Sequence, residues 1–460
     1  MKFKQFYLGC LAHASYYVGS DGEAAVIDPQ RDVEQYITQA EANNQTIKYV
    51  IETHSHADFV SGHAELAART GAAIVFGEKA RTEFPALKVR DGDELRVGKI
   101  KLKFLETPGH TPEGITVLAE DTEEATAPLK MFTGDTLFIG DVGRPDLVGS
   151  KGRTAAEMAA MLYESLHEKI LPLPDETEVY PAHGAGSLCG KSLSKETWST
   201  LGEQKRTNYA LQPMTKEEFI KTVAADQPEV PAYFPASAAQ NLKGSPALRD
   251  LTAPRELASA EAESFDGVVL DVRTSAEYGA GHIPNSINIG LGGQFASWAG
   301  TLIPIGTPLL IAAATRGQID EAVTRLARVG FETVRGFILM KDFTGAAKKI
   351  EQVSVEAVAA LVQSGEKVQL VDVRRAAEHA GGHAAGAVNL PLNNLVKELD
   401  RLRPDRPTYV ICQSGYRSSA ATGILENAGF GEVYNVTGGT KAWLDAGLAA
   451  EKPAGAGAAS

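Results

Sequence analysis

Residues 270–278, Leu-Asp-Val-Arg-Thr-Ser-Ala-Glu-Tyr, return at 371–379 as Val-Asp-Val-Arg-Arg-Ala-Ala-Glu-His. Gly281-His282 returns as Gly382-His383 and Asn288 as Asn389, at the same offset of 101 positions that separates Asp271 from Asp372. A period this long exceeds the roughly 20–50 residues of solenoid units and marks a duplicated domain. Each copy alternates apolar strands with helical stretches, which predicts an α/β domain on a parallel sheet.

The later part of each copy shows the difference. The second runs Thr408-Tyr409-Val410-Ile411-Cys412-Gln413-Ser414-Gly415-Tyr416-Arg417 before its helix, and the first runs Leu309-Leu310-Ile311-Ala312-Ala313-Ala314-Thr315-Arg316. Counting back from Gly330-Phe331 and Gly429-Phe430 puts Ala313 opposite Cys412. A cysteine that ends a strand and opens a Gly-containing loop into a helix has a chemical use. Backbone N–H groups of the loop and the helix start favour its thiolate and any bound oxyanion. Arg417 adds charge or closes the loop.

The chain ahead of the repeat delivers metal-capable residues at four strand ends. Ile47 to Glu52 reads as a buried strand and leads into Thr53-His54-Ser55-His56-Ala57-Asp58-Phe59. Ile100 to Leu105 leads into Thr107-Pro108-Gly109-His110-Thr111, where Pro-Gly turns tightly and presents His110. Lys130 to Thr133 leads into Gly134-Asp135-Thr136, and Val179-Tyr180 leads into Pro181-Ala182-His183-Gly184. Any one of these is a modest signal. Together, in one domain, they predict a metal site.

The remaining elements are a hairpin turning at Asp21-Gly22, helices over 32–43, 64–69, 154–169 and 215–224, and a strand over 72–76. Met158, Met161, Leu162 and Leu166 read as core, as does Cys10. A Pro-rich run around Pro228, Pro231 and Pro235 and a linker over 241–255 are expected before the repeat. Domain limits of 1–245, 255–350 and 351–450 follow, with 451–460, rich in Ala and Gly, as a disordered tail.

A net charge of −13 argues against nucleic acid as a partner. No apolar run is long enough for a signal peptide or a membrane span, so a cytoplasmic protein with no membrane partner is expected. Three cysteines suit a reducing compartment rather than a disulfide framework.

His-x-His-x-Asp, Pro-Gly-His-Thr, Gly-Asp-Thr and Pro-Ala-His-Gly in this order resemble the metallo-β-lactamase superfamily over about 1–240. The resemblance implies an αββα sandwich with the metal at one edge. Where the superfamily usually reads Asp-His, this chain has Asp58-Phe59, and Phe59 cannot ligate. That disfavours the two-zinc glyoxalase II-like thioester hydrolases, the alternative reading. His63 is expected to belong to the following helix rather than to compensate.

The resemblance is to the persulfide dioxygenases. It implies one Fe(II) per chain, held by His54, His110 and Asp135 as the facial triad of non-haem iron oxygenases. His56, Asp58 and His183 would then orient ligands or bond the substrate. Arg144, in a Gly-Arg element, would hold a carboxylate of a glutathione-like persulfide. Cys189 is a candidate sulfur carrier.

The repeat resembles rhodanese sulfurtransferase domains over about 255–350 and 355–448, the first inactive and the second active through Cys412 and its loop, Gln413, Ser414, Gly415, Tyr416 and Arg417. Asp372 and Arg374 are expected to be structural.

Both halves point to sulfane sulfur, and the whole resembles fusions of a persulfide dioxygenase with rhodanese domains. The function implied is O2-dependent oxidation of a low-molecular-weight thiol persulfide to sulfite. Sulfur transfer at Cys412, to or from thiosulfate, would be coupled to it in sulfide detoxification. A homo-oligomer is expected. A third reading, a sulfur sensor or scaffold, stays open only for the first repeat copy.

Overall fold

A computed structural model describes residues 1–124, 126–147, 152–225, 227 and 229–452. The chain divides into two compact units. The first is Met1–Leu251 with Ala327–Gly330, and the second takes up the chain at Thr252–Leu326 and continues from Phe331.

The first unit is an αββα sandwich. One sheet orders its six strands as the chain makes them, from Lys2–Leu8 to Leu87–Val89. The other runs from Ser199–Thr200 through Glu178–Pro181, Lys130–Gly134, Ile115–Asp121 and Ile100–Glu106 to Glu94–Val97. Tyr16, Ile27 and Val75 of the first sheet meet Leu102, Phe104 and Phe132 of the second in one buried core. Helices Glu34–Ala42 and His63–Thr70 cover the outer face of the first sheet through Tyr36, Ala40 and Leu66. Ala155–Glu164 and Lys216–Ala224 cover the second through Leu162 and Phe219. The hairpin turns at Asp21 and Gly22, with φ of 50° and 79°, as an Asp-Gly pair allows.

Two stretches differ from expectation. The helix begun at Ala155 passes into a π-helical turn, Ser165–Ile170, and Ser165 donates to the Pro108 carbonyl at 2.7 Å. The stretch read as a Pro-rich run and linker contains a helix, Phe234–Lys243, with proline in its first turn, where a missing N–H costs nothing.

The second unit holds the two repeat copies. Each is a five-stranded parallel sheet with the same order. In the first it is Arg255–Glu256, Val334–Leu339, Leu309–Ala313, Val268–Asp271, Ser286–Asn288. In the second it is Glu351–Val353, Val433–Val436, Thr408–Ile411, Gln369–Asp372, Val388–Asn389. Asp271 pairs with Ala312 as Asp372 pairs with Ile411, so Ala313 and Cys412 hold the same place. The tail expected over 451–460 does not hold at its first residue. Glu451 pairs with His383 in a two-strand ladder, and 453–460 lie outside the described residues. Among the described residues no helix is long and apolar enough to cross a membrane.

Candidate metal centre and sulfur-transfer loop

His54, His110 and Asp135 come together from three strand ends, all buried. Asp135 Oδ2 lies 3.3 Å from His110 Nε2 and 3.8 Å from His54 Nε2. Donors about 2.1 Å from one ion stand about 3–3.5 Å from one another. The far side of each ring is fixed. His54 Nδ1 lies 3.0 Å from Thr53 Oγ1, which donates to Asp28 Oδ2 at 2.8 Å, so the hydroxyl accepts from Nδ1. His110 Nδ1 donates to the Arg144 carbonyl at 2.9 Å. Both rings therefore turn an unprotonated Nε2 inward.

Burial pushes the His54 and His110 imidazoles down, keeping them neutral. Burial works against the Asp135 carboxylate, but the charged His183, its first stabilising neighbour, outweighs it and holds the carboxyl well below its usual range. His54 Nε2 and Asp135 Oδ2 are buried without a hydrogen-bond partner among the described residues. Two neutral imidazoles and a carboxylate with orphaned, converging atoms fit a divalent metal. Gly134 is needed for the approach. Its φ is 52°, and a Cβ there would fall 2.4 Å from Thr53 Oγ1. A small pocket beside the three is lined by Thr107, Thr111, Thr133 and Thr136.

The residues expected around this triad divide. His183 bridges two carboxylates, with Nδ1 2.7 Å from Asp135 Oδ1 and Nε2 2.7 Å from Asp58 Oδ2. Its burial is outweighed by Asp135 and Asp58, which raise it well above the usual imidazole value and keep it charged. The His56 ring packs 4.1 Å from that of His54, and its Nε2 lies 3.1 Å from Asp28 and 3.5 Å from Glu52. Against its burial, Asp28, Glu52 and Asp58 lift it to about 9. It serves as the counter-ion of a buried acidic pair rather than as a group facing substrate. His63 opens a helix and lies 3.4 Å from Glu52.

Arg144 differs from its expected use. Its buried guanidinium takes Asp146 bidentately, both bonds at 2.7 Å, and its carbonyl holds His110. A fork filled by an internal carboxylate supports the His110 loop instead of receiving a substrate's. Cys189 joins Asp58 and His183. Burial, then Asp58 and Asp135, push its thiol well up, the reverse of what a nucleophile needs.

Two contributors carry no sequence signal. Asn241 donates to the carbonyls of His56 and Phe59, each at 2.8 Å, and accepts from Ser61 N–H at 2.8 Å. It fixes the motif loop from 185 residues away. His13 lies with its ring 4.0 Å from Phe59 and 5.4 Å from His183, fully buried.

In the second unit, Cys412 Sγ accepts the Gly415 N–H at 3.1 Å and the Ser418 hydroxyl at 3.4 Å. Gln413 lies 3.4 Å from the Arg374 guanidinium, and Ser414 lies in the loop between. Arg417 grips Glu378 with two bonds of 2.7 Å. Asp372 and Arg374 form a buried bidentate pair, and Arg374 also donates to the Gly382 carbonyl, as Arg273 does with Asp271 and Gly281. In the first copy the loop is one residue shorter, and Gln318 Oε1 accepts the Ala314 and Thr315 N–H groups. A side chain fills the cradle that holds sulfur in the other copy.

The family model described as Metallo-beta-lactamase superfamily matches residues 8–183. The human mitochondrial persulfide dioxygenase is 32% identical over 207 residues, which are 43% of this chain and 70% of that protein. The chain belongs to the persulfide dioxygenase family. It is a fusion member of that family, because the Rhodanese-like domain model matches 254–341 and 354–446. Membership brings a metal cofactor with it. A hydroxyacylglutathione hydrolase of Polaromonas sp. is 36% identical over 165 residues, 35% of this chain and 57% of that protein. The crystal structure of a metallo-beta-lactamase from Staphylococcus aureus is 34% identical, with a TM-score of 0.67 over 74% of this chain and 98% of that one.

Proposed function

We propose that the first unit oxidises the outer sulfur of a low-molecular-weight thiol persulfide, such as glutathione persulfide, and that the second moves sulfane sulfur through Cys412. The observation that carries this is the His54–His110–Asp135 triangle beside Phe59, a residue with no donor where a second metal would need one.

His54, His110 and Asp135 would hold one Fe(II), which would supply O2 activation next to a persulfide anion. The chain's own residues prepare it. Thr53 and the Arg144 carbonyl fix the two imidazoles, and His183 holds the second oxygen of Asp135. Overall, RSS⁻, O2 and H2O give RSH and HSO3⁻. The persulfide's outer sulfur is oxidised and O2 is reduced.

At Cys412 the thiolate attacks the sulfane sulfur of thiosulfate. The S–S bond breaks, sulfite leaves with the electron pair, and the cysteine becomes a persulfide. A thiolate acceptor then takes the outer sulfur and returns Cys412 to its thiolate. Run in reverse, sulfite from the first unit accepts sulfur and leaves as thiosulfate. The Gly415 N–H and the Ser418 hydroxyl stabilise the thiolate in both directions.

Metal analysis with an oxygen electrode tests the reading. About one iron per chain is expected, with O2 uptake that depends on added persulfide and yields sulfite. Cys412→Ser should lose thiosulfate sulfurtransfer and keep O2 uptake. Zinc at two sites, thioester hydrolysis and no O2 uptake would overturn the dioxygenase and favour the hydrolase.

A further inference from the structure

The first repeat copy has no cysteine, yet it touches the active loop at its most sensitive point. Tyr416 opens the helix Tyr416–Asn427 and directly follows Gly415, whose N–H donates to Cys412 Sγ. The Tyr416 hydroxyl donates to the Gly290 carbonyl of the first copy at 2.7 Å. Its ring lies against Gly293, where a Cβ would fall 2.7, 2.9 and 3.0 Å from three ring atoms. Only hydrogen fits there.

The seat is itself held. Arg325, buried in the first copy, donates to the Leu291 carbonyl at 2.6 Å and to the Gly293 carbonyl at 2.8 Å. The rest of the helix shares this wall. Residues 418–425 are all buried, which a helix with one solvent face cannot achieve. Ser419 donates to Asn288 Oδ1 at 2.6 Å, and His282 Nε2 lies 3.1 Å from Glu426. Asn288 in turn donates to the carbonyls of Asp271 and Arg273 in its own copy.

We propose that the first rhodanese copy is the positioning partner of the Cys412 loop, acting through the seat that Gly290–Gly293 forms for Tyr416. Tyr416 and Gly415 share a peptide bond. A shift of the ring displaces the helix start and, through Gly415 one residue before it, the N–H that faces Sγ, and hydrogen bonds to a thiolate weaken steeply with angle. Tyr416, Gly293 and Arg325 are positioning residues in this scheme.

The inference rests on Cys412 as the sulfur acceptor, so the test reads the thiolate apart from turnover. In the full chain, iodoacetamide alkylation of Cys412 is followed by peptide mass, alongside kcat and KM for thiosulfate. Gly293→Ala should slow alkylation and lower kcat about tenfold with KM within about twofold, as a displaced reacting group does. Tyr416→Phe, which keeps the ring and the fold, should cost about threefold in both. In a Tyr416→Ala background, Gly293→Ala should cost nothing further, because the methyl then has no ring to displace. Wild-type alkylation and kcat in both Gly293→Ala and Tyr416→Phe would overturn the proposal, and so would an equal loss from Gly293→Ala with and without the ring. Normal alkylation changes without any thiosulfate turnover would instead count against the sulfurtransferase reading.

Discussion

The Thr53 hydroxyl stands between Asp28 and His54, 2.8 Å from the carboxylate and 3.0 Å from Nδ1. Because it spends its proton on Asp28, it can only accept from the imidazole, and His54 must present Nε2 unprotonated. Partners of this kind outside the ligand set are worth about 10–100-fold in metal affinity or activity. Thr53→Val should therefore lower iron retention and persulfide-dependent O2 uptake about tenfold or more, while Thr53→Ser stays near wild type. Iron per chain after dialysis against a weak chelator, and an oxygen electrode, measure both. Equal iron retention in Thr53→Val and wild type would remove the relay.

Asn241 holds the backbone of the motif loop at three points. Asn241→Leu leaves two carbonyls and one N–H buried and unpaired, at about 1–3 kcal/mol each before relaxation. A loss of about 3 kcal/mol in unfolding free energy of the first unit is expected, together with weaker iron retention. Urea titration followed at the first unit, with and without iron, checks it. The loss should be larger with iron bound, since metal stabilises the folded site by mass action.

The features legible in the sequence were those set by neighbours along the chain. Asp21-Gly22 names its own turn, and Pro108-Gly109-His110 sets out its histidine from a strand end. The Asp-Val-Arg repeat carries a bidentate pair two residues apart, which recurs intact in both copies. The shared sheet register then places Ala313 where Cys412 stands. What could not be read depends on partners far off in sequence. Arg144 looks like a substrate clamp until Asp146 is seen in its fork, and His56 looks like a group beside the substrate until Asp28 and Glu52 claim it. Phe234–Lys243 hid behind its proline, and with it Asn241. Spacing tells which residues leave a strand end together, and only packing tells which way each turns.

Arg417, at the end of the Cys412 loop, donates two 2.7 Å bonds to Glu378. Burial would raise the Glu378 carboxyl, but Arg417 outweighs it and the group sits below its ordinary value of 4.5. A carboxyl depressed in the folded state adds stability above its unfolded pKa, and that stability fades as pH falls through the folded one. Glu378→Gln should thus be less stable than wild type at neutral pH, and the gap should close in acid, below about 4.5. Chemical denaturation of the second unit at neutral and acid pH measures the gap. A gap that is the same at both would mean the ion pair contributes no pH-dependent stability. Arg417→Lys, which cannot make the fork, should reduce sulfurtransfer about tenfold while O2 uptake holds.

Phe59 lies with its ring 4.0 Å from His13 and 4.5 Å from His56, and it follows Asp58, whose carboxylate meets His183. Here the charged His183 imidazole ties Asp58 to Asp135. Phe59→His adds one neutral nitrogen donor to Asp58, His183 and Cys189, a set already able to converge. In zinc-supplemented medium the variant should take up metal beyond about one ion per chain, approaching two. The second ion would displace the proton from His183 and draw Asp135 Oδ1 away from it. O2 uptake should then fall about tenfold or more as the carboxylate is shared, and hydrolysis of a glutathione thioester should rise above background. Element analysis of wild type and variant purified side by side decides it. Identical stoichiometry in the two would mean that Phe59 is packing alone and that something other than this missing donor keeps the centre mononuclear.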